Sequence, residues 1–298
     1  MFREYKGTVY RPPVEASTFL IPVTEGCTHN FCKFCNMYKD VDFRMLELEQ
    51  VENFLKAVRS KNAAYADIIK RVYLVGGNPF ALSFKNLEQR ILLIKKYLPS
   101  VNAITMYSRV SNIINKSSGE LQALKAMGVD DLYVGVESGL DDVLIYMNKG
   151  HNAQDALTQC LRLNEAGIAH RALLMPGAAG HGRGSENALK TAELLNQTKP
   201  NMILLTALTA FEGTELAEDI KNNKFILSSE REILEEEKLL LENLDLPDCY
   251  FWAAHSLDAI GVAGVIGEDR TEMLEALQYG IEHADEFNYN RTARRGTL

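Results

Sequence analysis

Short apolar, β-branched runs recur along the chain at residues 17–24, 71–75, 103–107, 131–136, 170–175, 202–208 and 249–254, each followed by a stretch of helical period. Strand-length runs alternating with helices are the pattern of a parallel sheet built from βα units. Over 84–98 the apolar positions Phe84, Leu87, Ile91, Ile94 and Leu98 keep to one face while Lys, Glu and Gln take the other, so this helix packs one side on the sheet. Ser117 with Glu120, and Ser229 with Glu232, have capping-box spacing and predict helix starts. Two charge-rich helices, 229–244 and 268–284, are expected to close one side of the sheet, with Glu235-Glu236-Glu237 as a solvated face. No repeat, low-complexity tract or Pro/Gly-rich linker divides the chain, so one domain is expected over 1–298, its core at about 17–210 and its closing elements at 211–298. Parallel strands with crossover helices carry their functional loops at the carboxyl ends of the strands, and the chemistry is expected there.

The 298 residues are 46% hydrophobic and 24% charged, enough to bury a full-sized core. A net charge of -8 argues against a protein that lives on nucleic-acid phosphates, which calls for clustered Lys and Arg, and makes a small molecule the expected partner. No apolar leader follows Met1 and no apolar run approaches the roughly 20 residues that span a bilayer, so no membrane association and a cytoplasmic location are expected.

Five cysteines are an odd number, and Cys27, Cys32 and Cys35 fall within nine residues, directly after the first predicted strand. That spacing suits a metal site in a reducing compartment better than a disulfide framework. Cys160 lies on a helix's apolar stripe as a small buried hydrophobe, and Cys249 stands alone. Thiolates hold iron–sulfur clusters, and a four-iron cubane on three cysteines leaves one iron open to another ligand. The alternative is a structural zinc in a metal-stabilised binding protein. It needs four closed ligands in two separated pairs, and His29 sits too tightly to complete such a set.

The segment Gly26-Cys27-Thr28-His29-Asn30-Phe31-Cys32-Lys33-Phe34-Cys35-Asn36-Met37-Tyr38 resembles the cluster loop of the radical S-adenosylmethionine (SAM) superfamily. The family's usual motif, C-x3-C-x-aromatic-C, is lengthened here by one residue, as in a short group of its members. The resemblance implies an α/β fold, a partial (β/α)6 TIM-like barrel, with a 4Fe-4S cluster on Cys27, Cys32 and Cys35. It places the Phe34 ring near the adenine of SAM. Gly76-Gly77-Asn78-Pro79 matches the family's Gly-Gly-Glu-Pro element, which holds the SAM amino group, with a neutral amide where the family has an acid. Tyr133-Val134-Gly135-Val136-Glu137-Ser138-Gly139, followed by Met147-Asn148-Lys149-Gly150, is similar to the branch that includes methylthiotransferases and anaerobic coproporphyrinogen dehydrogenases. By that likeness Glu137 and Ser138 face SAM, and Lys149 or Arg109 meets its carboxylate. Arg171 and Met175 lie on the strand lining the adenine side, and Met37 and Ser108 complete the implied cofactor set.

The family's chemistry is reductive SAM cleavage to a 5'-deoxyadenosyl radical, with flavodoxin or ferredoxin as the reductant. Tyr107, Arg109, Glu212, His255 and Asp258, at later strand ends, are the candidates to hold the substrate. Cys160 and Cys249 cannot ligate a second cluster of ordinary type, which argues against methylthiotransferase activity. Within the short group that shares the lengthened spacing and a Tyr-Arg-Pro-Pro start (Tyr10 to Pro13 here), the resemblance implies queuine lyase, which cleaves the 7-deazaguanine base queuine to its 7-aminomethyl precursor. Such a base needs a carboxylate facing two ring donors, and Glu212, Glu25 or Asp258 could supply it. Another small metabolite, a tetrapyrrole or a sugar, is the alternative.

Overall fold

In the computed structural model residues 5 and 8–284 are described, so the end of the expected closing segment, 285–298, lies outside the described residues. The strands are β1 (Phe19–Pro22), β2 (Thr24–Glu25), β3 (Arg44–Met45), β4 (Arg71–Val75), β5 (Ala103–Arg109), β6 (Val129–Glu137), β7 (Ala169–Leu174), β8 (Met202–Leu205), β9 (Tyr250–Ala253) and β10 (Val262–Val265). Between them lie α1 (Leu48–Lys61), α2 (Ala63–Ile68), α3 (Phe84–Tyr97), α4 (Val110–Ile114), α5 (Ser118–Ala126), α6 (Asp141–Tyr146), α7 (Ala153–Glu165), α8 (Gly184–Thr198), α9 (Glu215–Lys221) and α10 (Glu230–Glu242), and α11 (Ile266–Glu282) follows β10. Eight strands are hydrogen-bonded in the order β1-β4-β5-β6-β7-β8-β9-β10, and β2 pairs with β3 as a separate ribbon. The β1–β4, β4–β5, β7–β8 and β8–β9 pairs are parallel, so the fold is α/β with a mostly parallel sheet. Among the described residues no helix is long and apolar enough to cross a membrane.

Each of the seven expected strand runs contains a strand, and both predicted capping boxes form. The run at 202–208 leaves the ladder after Leu205, yet its backbone donors stay satisfied: Thr206 N–H reaches Leu174 O at 3.1 Å and Leu208 N–H reaches Pro176 O at 2.8 Å. Strand β10 was not expected. It is short, carries Gly264 and exposes alternate residues, and it exists by antiparallel pairing with β9.

The chain forms two compact units. One runs to Asn30 and includes Met37–Val134 and Gln159–His170; the other comprises Phe31–Asn36, Gly135–Thr158 and the chain from Arg171 on. In the first, side chains two apart share a face of the sheet, so Arg71 and Tyr73, Thr105 and Tyr107, and Asp131 and Tyr133 point the same way. They form a polar and aromatic layer. Arg71 donates to Glu15 at 2.6 Å and to Asp131 at 2.8 Å, Thr105 donates to Asp131 at 2.6 Å, and the Tyr133 hydroxyl donates to Glu15 at 2.6 Å. Tyr73, Tyr107 and Tyr133 meet edge to face or tilted, with ring centroids 5.7–6.2 Å apart.

In the second unit the acidic run on α10 departs from the expectation of a solvated face. Glu235 is exposed, but Glu236 and Glu237 are 4% and 1% exposed. The helical period turns two of three consecutive acids inward. Glu236 earns its place there by accepting the Gly177 N–H at 2.9 Å and the Asn187 Nδ2 at 2.7 Å.

Burial alone would raise the Glu15 carboxyl, but hydrogen bonds from Arg71, Thr18 and Tyr133 and the Arg71 charge overcome it and hold the group below its ordinary value. A depressed carboxylate adds stability that is complete above its unfolded pKa, about 4.3, and is lost as pH falls through the folded value. Arg71→Ala leaves two buried carboxylates without their cation and is expected to cost about 3–5 kcal/mol at pH 7 in urea unfolding. That difference should narrow below about pH 4, as the Glu15 carboxyl protonates. A difference independent of pH would show that packing, not charge, sets the loss.

Candidate active site

The first cysteine is placed by strand pairing. Strands β1 and β4 run parallel with Pro22 opposite Val75, and beyond the strand ends Val23 N–H reaches Val75 O at 3.5 Å and Gly77 N–H reaches Gly26 O at 2.9 Å. The Gly-Gly pair at 76–77 is required by this approach. Gly76 has φ +146°, and a Cβ on Gly77 would lie 2.7 Å from both the Cys27 Cβ and the Gly26 carbonyl oxygen. Asn78 is fully buried: its Oδ1 accepts the Thr28 N–H at 3.0 Å, and its Nδ2 donates to Thr28 Oγ1 at 2.6 Å and Asn112 Oδ1 at 3.1 Å. Pro79 follows, buried, at the start of a 3-10 turn, Pro79–Ala81, whose Phe80 carbonyl accepts from Lys116 Nζ at 2.6 Å.

The second and third cysteines belong to the other unit. Cys35 N–H bonds Cys32 O at 3.3 Å, and Lys33, between them, is clamped on every side. Its N–H donates to Met147 O at 3.1 Å, its carbonyl accepts the Leu216 N–H at 3.0 Å, and its Nζ lies 2.9 Å from Glu215 and 2.8 Å from Asp219. The hydrogen bond to Asp219, with Glu215 adding to it, pushes the Lys33 ammonium up to about 12. Asn148, in the left-handed region at φ +54°, donates to Phe31 O at 2.9 Å. The loop is therefore held by backbone and charge, not by its own conformation.

The same unit brings together four residues that the family resemblance names from distant parts of the chain. Phe34 packs against the apolar cluster containing Met175, Leu140, Val143, Met147 and Leu208. The Lys149 ammonium sits 5.5 Å from the Phe34 ring centroid and 2.9 Å from Glu137 Oε1. Glu137 O accepts the Met175 N–H at 3.2 Å. Glu137 has φ +67°, and Ser138 N–H bonds Val136 O across it at 2.9 Å, a γ-turn of the strained hand. Gly135 leaves the space for the ion pair, since a Cβ there would meet Glu137 Oε1 at 2.8 Å. Behind this turn Ser138 is fully buried, donating to Asn187 Oδ1 at 2.5 Å and accepting the Leu140 N–H at 3.0 Å. Asn187 passes on to Glu236, which fixes the Gly177 turn.

Tyr107 is half-buried in the tyrosine layer, Ser108 is buried with its hydroxyl on Arg109 O at 3.0 Å, and half-buried Arg109 begins α4 with its N–H on Asn112 Oδ1 at 3.0 Å. Met37 is half-buried. Arg171 NH1 lies 3.9 Å from the Met202 sulfur. Glu212 is exposed, and Glu25 is 1% exposed and paired with Arg44 at 3.0 Å. Asp258 accepts the N–H groups of Ala207 at 2.9 Å and His255 at 2.7 Å. His255 Nδ1 accepts the Leu257 N–H at 3.2 Å, and burial holds the ring below its ordinary pKa, so the neutral imidazole carries its proton on Nε2. Thr28, Lys33 and Asn112 were not singled out in the sequence. Lys33 lies inside the cysteine motif, and Asn112 stands three residues after Arg109, a helix-start spacing that could have found it.

Cys27, Cys32 and Cys35 are half-buried, whereas Cys160 and Cys249 are buried, their thiols pushed up to about 12 by burial. A ligand must ionise, and burial disfavours that at Cys160 and Cys249. Among the described residues no three His, Cys, Asp or Glu side chains gather around one point as for a single ion. A cubane takes its thiolates on separate irons and makes no such demand. The close approach at Gly77 predicts that Gly77→Ala destabilises the protein by about 1–3 kcal/mol in thermal unfolding. Gly119→Ala, in α5 with no heavy atom within 4 Å of its added Cβ, should be neutral or stabilising by up to about 1 kcal/mol. Equal effects would show that contact with Cys27 is not what requires glycine.

The model of the radical SAM superfamily matches residues 21–194, more than half of the chain. The heme chaperone HemW of Bacillus subtilis (strain 168) is 26% identical over 170 residues, covering 54% of this chain and 45% of that protein, so the chain spans less than half the length of this relative. Among solved structures, coproporphyrinogen III oxidase (HemN) from Escherichia coli, a radical SAM enzyme, superposes with a TM-score of 0.54 at 16% identity over 76% of this chain and 52% of that one. The radical SAM methyltransferase TsrM from Kitasatospora setae, with cobalamin and a [4Fe-4S] cluster bound, gives 0.55 at 16% identity over 69% and 39%. These likenesses bear on the fold, the TIM-like barrel of the radical SAM type. With the cysteine motif, the Gly-Gly turn and the parallel α/β sheet in place, the chain belongs to the radical SAM superfamily.

Proposed function

We propose that this enzyme cleaves SAM reductively and directs the radical onto a small molecule, the base queuine, which it converts to 7-aminomethyl-7-deazaguanine. The observation that carries the SAM reading is the assembly of Phe34, Met175, Glu137 and Lys149 at one locus. Cys27, Cys32 and Cys35 would hold the cluster. When bound, cluster and SAM together supply a 5'-deoxyadenosyl radical that takes a hydrogen atom from the substrate. The Phe34 face and Met175 offer an apolar bed for a flat base, while Glu137 and Lys149 offer an acceptor for ribose hydroxyls and a cation for a carboxylate. A flavodoxin or ferredoxin is the proposed electron donor, and a reducing cytoplasm the setting that suits a cysteine-held cluster.

Support for queuine is the lengthened cysteine spacing and the Tyr10 to Pro13 start, which resemble the short group with that activity. Of the three carboxylates that could read two ring donors, Glu25 is committed to Arg44 and Asp258 to two backbone N–H groups, which leaves Glu212. His255, protonated on Nε2, offers a donor to a substrate heteroatom. The likeness to HemW favours a tetrapyrrole as the second reading.

Anaerobic incubation of the reconstituted protein with SAM and dithionite, with and without queuine, tests both levels by mass spectrometry. 5'-Deoxyadenosine formed by the wild type and abolished in Cys32→Ala is expected, with the aminomethyl base appearing only when queuine is present. Glu212→Gln should lower queuine turnover about tenfold or more while leaving SAM affinity unchanged. SAM cleavage stimulated by a porphyrinogen and not by queuine would replace the substrate; no cleavage with any cluster present would overturn the reading.

A further inference from the structure

We infer that Asn78 is a positioning residue that locks the turn of the first cysteine, and not a ligand of the SAM amino group. The parallel ladder between β1 and β4 runs past both strand ends through Val23 to Val75 and Gly77 to Gly26, and its next rung is made by a side chain. Thr28 N–H, one residue beyond Cys27, donates to Asn78 Oδ1 at 3.0 Å, where a backbone carbonyl would otherwise stand. The amide of Asn78 thus acts as a peptide group, carrying the ladder through Cys27 after the chains have parted.

The orientation of that amide follows from chemistry. A backbone N–H can only donate, so Asn78 Oδ1 must face Thr28, and its Nδ2 must face Thr28 Oγ1 and Asn112 Oδ1. Asn112 Oδ1 is fixed in the same way by the Arg109 N–H at 3.0 Å. Three loops are joined by this one buried amide: the cysteine turn, the Gly-Gly turn and the end of β5.

A carboxylate at position 78 would keep the bond from Thr28 N–H but could not donate. The Thr28 hydroxyl can rotate to compensate; Asn112 Oδ1, held by Arg109 N–H, cannot. Two acceptors would face each other in a fully buried site. That is the physical reason for an amide where the family has an acid, and it removes Asn78 from the groups that can meet an ammonium.

The inference rests on the proposed ligation by Cys27, and the experiment separates the two. Reconstituted wild type and variants are reduced without SAM, their electron paramagnetic resonance recorded, and the rate of iron loss to a chelator measured; SAM affinity is titrated separately. Asn78→Asp is expected to lose iron about tenfold faster and to bind SAM no more tightly. Thr28→Val, which removes only the hydroxyl partner, should lose iron about fivefold faster with a shifted resonance, and Thr28→Ser should restore the wild-type rate and spectrum. Iron loss within about twofold of wild type in both Asn78→Asp and Thr28→Val, with tighter SAM binding in Asn78→Asp, would overturn the latch and make position 78 an ammonium ligand. Should Cys27→Ala keep its iron and spectrum, the ligand reading fails instead.

Discussion

The parallel pairing of β1 with β4 is the interaction on which the presentation of Cys27 depends. Its register, Pro22 opposite Val75, sets where the two chains leave the sheet, and the bonds beyond the strand ends decide how Cys27 is presented. A loop that has to hold a reactive thiol cannot rely on regular structure, because the ladder ends where the loop begins. Here the ladder is prolonged, first by glycine backbone and then by the Asn78 amide. Glycine permits the approach and the amide supplies the missing peptide group.

The segment carrying Cys32 and Cys35 is placed by a different means. Residues 31–36 carry no regular structure beyond a turn, and their place is set from outside by Met147, Asn148, Leu216 and the acids of α9. Lys33 carries backbone, ionic and aromatic contacts at once, its ammonium 4.4 Å from the Tyr146 ring. Rigidity therefore comes from many partners converging on one short segment, which suits a loop that must present thiols in a fixed arrangement.

Buried charge recurs for the same purpose. Glu15, Asp131 and Glu236 are almost fully buried, and each is matched by donors from separate elements. Such networks add little net stability compared with apolar packing, but they penalise any arrangement that leaves a member unpaired. The strained γ-turn at Glu137 is held by one of them through Ser138, Asn187 and Glu236, so the strain is confined where the Glu137–Lys149 pair is displayed.

The sequence by itself determined the α/β alternation, seven of the strands, both capping boxes and the clustered cysteines, because each is local: a period, a cap or a spacing read within a few residues, whereas the Gly-Gly stretch and the stretch from Glu137 to Lys149 stood out through the family resemblance. It also identified the inertness of Cys160, which follows from its place on an apolar stripe. Only the tertiary structure decided what distance along the chain conceals. Glu236 looked like surface until α8 and the Gly177 turn supplied its donors. Strand β10 arose from pairing with β9, and Glu25 and Asp258 lost their freedom to Arg44 and to backbone N–H groups. Asn78 read as a cofactor contact in the motif and as a buried strut in the fold, because its partners, Thr28 and Asn112, are 50 and 34 residues away. A hydrogen-bond partner is a fact of three-dimensional proximity, and no local pattern encodes it.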